Sequence, residues 1–168
     1  MKRSVAITSA MLTILVLVAA ISGCATSKLT SFGWAKFQVP DGYVQVDDLV
    51  DCVTISTSSD TDPLNFRLDE RTIRLGPKVR QETFPDAKTF MEGTVDQSSG
   101  VEIEVIEAGD YVWYVAPFTF KDEQDSVYGY ADVNDEQCVG FTAYYMSIDD
   151  PDLMTVLETL QVNESKLP

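Results

Sequence analysis

Histidine is absent from all 168 residues. Its absence removes the commonest general base, the commonest zinc ligand and every Ser-His or Cys-His nucleophile arrangement. Cysteine occurs three times, too seldom and too widely spaced for a zinc knuckle. The nine glycines are scattered, so no glycine-rich phosphate loop is present. Positive charge is scarce as well: 12 Lys and Arg face 27 Asp and Glu, a formal net charge of −15. A chain this acidic repels phosphate, which excludes nucleic acid from the expected partners. Anionic headgroups repel it too, over a screening length of about 8 Å at physiological salt. No internal repeat, low-complexity block or second-domain boundary appears.

What is present begins at the N-terminus. Met1-Lys2-Arg3 is positive, and an apolar run from Val5 to Ile21 follows, broken only by Thr8, Ser9 and Thr13. Positive start, apolar middle and small-residue exit describe a secretory signal. The run is a little short for the roughly 20 residues of a membrane-spanning helix. Its exit, Ile21-Ser22-Gly23-Cys24, resembles the bacterial lipobox. That resemblance implies lipid attachment to the Cys24 thiol and signal-peptidase cleavage between Gly23 and Cys24. Two acyl chains, at about 0.8 kcal/mol per buried CH₂, hold a domain where one would not. The expected location is the membrane, lipid-anchored on the extracytoplasmic side. That side is the cell surface in a one-membrane bacterium and the periplasm in a two-membrane one.

Removing residues 1–23 leaves 145, enough for one domain with a full core. Lys2 and Arg3 leave with the signal while no acid does, which lowers the net charge by two, to −17. The expected organisation is a signal peptide over 1–23, a lipidated cysteine and polar tether over 24–32, one domain over 33–163 and a loose tail over 164–168. Cys52 and Cys138 remain. An oxidising compartment could join them, for roughly 4–5 kcal/mol in the chain-entropy model, or leave them as two separate buried thiols.

Strands are expected at Trp34 to Pro40, closed by a Pro40-Asp41-Gly42-Tyr43 turn, at Cys52 to Thr57 and at Arg67 to Leu75. Phe84-Pro85-Asp86 reads as a helix start, with Phe84 near the cap, Pro85 in the first helical position and Asp86 at the positive end of the dipole. A meander of four strands follows. In Val101 to Ile106, Val101, Ile103 and Val105 should face inward. Tyr111 to Phe120 is apolar on both faces, with a bulge or unpaired stretch expected at Pro117. Val127 to Val133 and Cys138 to Ile148 complete the meander. Asp150 then caps a helix that opens on Pro151, with Leu153, Val156, Leu157 and Leu160 on one stripe. Central strands apolar on both faces, with two amphipathic helices available, predict an α+β fold: an antiparallel sheet with helices on its faces.

Phe37-Gln38-Val39-Pro40-Asp41-Gly42-Tyr43, the helix from Phe84, the aromatic meander and the closing helix together resemble the PsbP-like fold. Bacterial lipoproteins of the LpqN and DcrB kind share that fold. The resemblance, from about Trp34 to Val162, implies an accessory or assembly factor that binds macromolecules, and it carries over no catalytic residue.

Carboxylates are the remaining chemistry, clustered at Asp60/Asp62, Asp122/Glu123/Asp125, Asp132/Asp135/Glu136 and Asp149/Asp150/Asp152. Facing pairs at about 5–10 Å hydrolyse glycosides, but these clusters all fall in expected turns, where acids are commonly solvated. Calcium is the other use of such residues, although the D-x-[DN]-x-[DN]-G loop is missing. Trp113, Tyr114, Tyr128, Tyr130, Tyr144 and Tyr145 crowd neighbouring strands, either as core or as a stacking surface. Tyr128 and Tyr130, on the face of Asp132, are the most exposed of these by expectation. The sequence therefore predicts no metal, no cofactor and no catalysis. It predicts an anchored module for a protein or envelope component, with a carboxylate hydrolase of envelope glycans or a calcium-stabilised binding module as alternatives.

Overall fold

The computed structural model describes residues 28–46, 51–58, 70–79, 83–95, 100–120 and 124–167. In chain order the first strands are β1 (Leu29–Phe32), β2 (Ala35–Gln38), β3 (Val44–Val46), β4 (Val53–Ser56) and β5 (Thr72–Val79). Helix α1 (Ala87–Thr94) precedes the meander of β6 (Glu104–Ala108), β7 (Tyr111–Phe120), β8 (Gln124–Asp132) and β9 (Gln137–Tyr144). Helix α2 (Pro151–Thr159), β10 (Gln161–Val162) and a 3₁₀ turn at Glu164–Lys166 close the chain.

These elements make two sheets. Seven antiparallel strands run in the order β3-β4-β5-β9-β8-β7-β6, and three in the order β1-β2-β10. The expected α+β, PsbP-like arrangement of one sheet between helices is thereby overturned. The chain is mostly β, and its two α-helices among the described residues have only eight and nine residues. The apolar faces of the meander were correctly seen as needing cover, but a second sheet supplies much of it. Phe32, Trp34, Ala35 and Phe37 are all buried on that small sheet or its turn.

The main core lies on one face of the large sheet. Ile55, Ile73, Ala143 and Val127 stand side by side across β4, β5, β9 and β8, with Val53, Leu75, Phe141 and Val115 in the next row. Against these rows pack the small sheet and the α2 residues Leu153, Val156, Leu157 and Leu160. The Gln38 N–H donates to Thr159 Oγ1 at 2.9 Å, and the Asn163 N–H to the Trp34 carbonyl at 2.7 Å, so the small sheet and α2 are tied together. A smaller cluster of Met91, Val95 and Ala116 lies on the other face, where α1 covers part of β7 and β8.

Several local expectations shift by a few residues. Leu29–Phe32, assigned above to the tether, is strand β1, so the folded unit starts earlier. The cap of α1 is Asp86, whose Oδ1 accepts from the Thr89 N–H at 2.7 Å, rather than Phe84. An aspartate at this position satisfies a helix-end donor that a phenylalanine cannot. Val105 is 60% exposed, because β6 is an edge strand that begins only at Glu104. Val101 and Ile103 lie before it and pack on the smaller cluster. No bulge forms at Pro117, which pairs in register with Val127. β6 has ended by then, having paired only with Tyr111 to Val115, so β7 is an edge on that side and needs no donor. Pro77 repeats the device beyond the end of β4.

Gly109 makes the β6–β7 turn at φ 61°. A Cβ there would come within 2.8 Å of the Glu158 carbonyl oxygen, so the turn docks under α2 only as glycine.

Candidate functional site

The face of the large sheet opposite the main core carries the chemistry. Side chains alternate along each strand, so cross-strand register decides which of them meet. Three rows matter. Ser56, Thr72, Tyr144, Ser126 and Phe118 form one; Thr54, Arg74, Thr142, Tyr128 and Ala116 form the next; Gly76, Gly140, Tyr130 and Tyr114 form the third.

The β7–β8 side of this face is aromatic. Phe84 contacts Phe90 (ring centroids 5.3 Å apart), Phe90 contacts Tyr130 (4.6 Å), Tyr130 contacts Tyr128 (6.3 Å) and Tyr128 contacts Phe118 (5.6 Å). Phe118 then meets Tyr144 at 5.9 Å, while Phe120 sits 4.8 Å from Tyr144 and 6.1 Å from Tyr145. The tilted and edge-on angles are those that aromatic quadrupoles prefer. All these rings are half-buried, so the chain of contacts is a surface strip with rigid support. Tyr145 takes φ 60°, which ends β9, and its N–H donates to Ser126 Oγ at 3.2 Å.

Sequence reasoning placed Tyr128 and Tyr130 on this face with Asp132, and the register does so. Neither ring is isolated. Burial pushes the Tyr130 phenol above its ordinary value, with Tyr128 and Cys138 adding to the rise and a hydrogen bond with Thr94 of α1 opposing it. Burial also raises Tyr128, and it raises Tyr144 against the pull of the Arg74 charge. Trp113, grouped with these tyrosines above, is instead fully buried in the main core against Phe141, at 5.3 Å. Phe84, Phe90, Phe118 and Phe120 were missed as members of the strip; cross-strand register brings Phe118 and Phe120 to it, and the packing of α1 on the sheet brings Phe84 and Phe90.

The β4–β5–β9 side is polar. Ser56 and Thr72 hydroxyls lie 3.0 Å apart, fully buried, and Ser56 Oγ accepts from the Ser58 N–H. Beside them Cys52, Arg74, Gly76, Lys78, Tyr130, Gly140, Phe141 and Thr142 line a notch of about 280 Å³.

Of the two alternatives open for Cys52 and Cys138, a disulfide or separate thiols, the structure has the separate thiols. Cys52 precedes β4 and lies against Gly76 of β5, whereas Cys138 pairs with Lys78 on the far side of β5. A whole strand separates them, which puts their backbones about 9–10 Å apart, beyond the reach of a disulfide.

Four of the cluster acids, Asp132, Asp149, Asp150 and Asp152, have structural employment. Asp132 Oδ1 accepts from the Ala87 N–H at 2.9 Å and so helps cap α1. Asp150 accepts from the Asp152 N–H at 3.0 Å, and both carboxylates bind the Arg71 guanidinium, at 2.6 and 2.9 Å. Arg71 also donates to the Tyr43 hydroxyl at 3.1 Å. Burial alone would lower the arginine, but these hydrogen bonds outweigh it and hold its pKa above the ordinary value. Asp149 is lowered by the Ser147 hydroxyl, which donates to it at 2.6 Å. Among the described residues no three acids or cysteines converge as a metal site. Gly23, Cys24, Asp60, Asp62, Asp122 and Glu123 lie outside the described residues.

No family model and no curated protein matches the chain. Among solved structures it is similar to a protein from Bacteroides thetaiotaomicron VPI-5482, with 12% identity and a TM-score of 0.47. The match covers 80% of this chain and 47% of that one, so the chain spans about half the length of the structure it matches.

Proposed function

We propose that this protein is a lipoprotein, anchored through Cys24 on the extracytoplasmic side of the membrane, whose domain binds a protein or envelope component without catalysing a reaction. The observation that carries the reading is the sequence Ile21-Ser22-Gly23-Cys24 at the end of an apolar leader with a positive start. A net charge of −17 on the mature chain keeps the domain's surface from adhering to anionic lipid, so attachment falls to the acyl chains. The aromatic strip supports the binding role. Tyrosines and phenylalanines held rigid by one another lose little freedom when a partner covers them, and such residues dominate binding energy where they are desolvated.

Membrane fractionation of wild type and Cys24→Ser tests the anchor. The wild-type chain partitions into the membrane fraction, and the variant is released or retained with its leader uncleaved. Photo-crosslinking from position 128 or 144 on intact cells tests the binding surface. Equal membrane partition of both proteins with the leader removed from the variant as from the wild type contradicts the reading.

A further inference from the structure

Acid is missing from one side of the molecule. The first of the 27 acids is Asp41, and no residue of β1, β2 or β10 is acidic. One face of that small sheet turns Phe32, Ala35 and Phe37 into the main core. Cross-strand partners share a face, so Leu29 with Gln38, and Ser31 with Lys36 and Gln161, lie together on the other. Ser31, Lys36 and Gln161 are exposed there. They line a hollow of about 460 Å³ together with Lys166 of the 3₁₀ turn. Glu164, the one acid in that lining, accepts from Asn134 Nδ2 at 3.0 Å. Lys28 stands immediately before β1 and is exposed as well. Among the described residues no ion pair reaches Lys28, Lys36 or Lys166, whereas Arg71 is tied to Asp150 and Asp152, and Lys88 lies 3.8 Å from Glu92.

An anchor at Cys24 fixes how far this face can stand from a bilayer. Cys24 to Leu29 is five residue steps, at most about 18 Å of chain. Ser31 and its partner Lys36 lie two residues farther along the strand, about 7 Å more. The headgroup zone is itself about 5–7 Å deep, so the small sheet is held beside it. The rest of the domain stands behind. The small sheet packs on the main core, and the large sheet closes that core from the other side, about 10 Å away. The aromatic strip and α1 occupy the far face of the large sheet. The acid-free face and the aromatic strip therefore look in opposite directions.

From this geometry we infer that the outer face of the small sheet lies flat on the anionic lipid surface, with Lys28, Lys36 and Lys166 against its phosphates. The inference deepens the anchored-module reading and rests on it. The acyl chains hold the domain; the lysines turn it. Each lysine at an anionic surface is worth roughly fivefold in the docking equilibrium. Three of them are too few to bind a chain of this charge from solution. On a tethered domain they decide only which side faces down, and the acids elsewhere repel every other orientation. The Ser31 hydroxyl and the Gln161 amide offer uncharged donors to phosphate between the lysines. Docked in this way, the domain holds its aromatic strip away from the membrane, where a partner can reach it.

Trace acetylation of the lipidated chain on vesicles, read lysine by lysine by mass spectrometry, tests this. On equal parts of phosphatidylglycerol and phosphatidylcholine, Lys28, Lys36 and Lys166 should react roughly fivefold more slowly than on phosphatidylcholine alone. Lys78 on the far face of the large sheet and Lys88 on α1 should react alike on both. Salt at 1 M, where the screening length is about 3 Å, should restore the three slow lysines. Lys36→Glu combined with Lys166→Glu should remove the protection of Lys28, while the variant still floats with the vesicles and melts like wild type. Equal rates on the two membranes at all five lysines, or protection of Lys78 and Lys88 instead, overturns the inference. With flotation intact, either result leaves the anchor reading standing. A chain that fails to float with vesicles overturns the anchor reading and this inference with it.

Discussion

Arg71 at the start of β5 and Asp150 at the start of α2 meet at 2.6 Å, although 79 residues separate them in the chain. Asp150 is doubly employed, because the same Oδ1 also accepts from the Asp152 N–H as the helix cap. The contact ties the large sheet to the helix that closes the main core.

Asp150→Ala therefore removes a cap and an ion pair at once. The cap is worth about 1 kcal/mol and the pair, with Arg71 partly exposed to solvent, a few tenths more. The expected loss in urea unfolding is about 1–2 kcal/mol. Asp150→Asn keeps an oxygen for capping and should lose less than half as much. Equal losses in the two variants would show that the cap contributes nothing.

Gly129 lies at the centre of the sheet, where an added Cβ would come within 2.6 Å of Val115 Cγ1, 2.7 Å of the Phe141 ring and 2.9 Å of the Tyr114 carbonyl oxygen. Backbone cannot step aside as a side-chain tip can. Gly129→Ala should cost about 1–3 kcal/mol through overpacking, read as a lowered urea midpoint. An unchanged midpoint contradicts the packing described for β7, β8 and β9.

Thiol chemistry follows from the strand that separates Cys52 from Cys138. The mature chain, unfolded without reductant, should yield two reactive thiols. A count of zero would mean that the two are joined, and with it the pairing order β4-β5-β9 would be wrong.

Alkaline behaviour follows from buried phenols. Burial raises Tyr43, Tyr111, Tyr128, Tyr130 and Tyr144 above their ordinary value of 10.0. In the unfolded chain the phenols lose their protons first, so above pH 10 the unfolded state binds fewer protons than the native one. Stability then falls as pH rises. Below that pH these groups contribute no slope. Melting temperature against pH should be level with respect to tyrosine up to about pH 9 and decline beyond 10. Tyr130→Phe should decline less steeply. A level curve through pH 11 would contradict the burial of these rings.

The elements were legible in the sequence where local chemistry is strong. The closing helix announces itself through Asp150, Pro151 and the Leu153–Leu160 stripe, and the structure caps it at Asp150. The meander was legible from alternation. What the sequence hid was pairing at a distance. Nothing local says that Leu29–Phe32 folds back on Ala35–Gln38, or that two residues after α2 complete that sheet. Hence a second sheet was missed and helices were credited with all the cover. The notch lined by Gly76 and Gly140 was hidden for the same reason, since those residues lie 64 apart in the chain and become neighbours only through register. Pro117 reads as an interruption, yet it sits where an adjoining strand has stopped.

The account depends most on Cys24. Intact-mass measurement of the protein purified from its native membrane should find a chain beginning at Cys24 and heavier than the polypeptide by a diacylglyceryl group, with or without a further acyl chain. A chain of unmodified mass that still carries Met1 to Gly23 would contradict it.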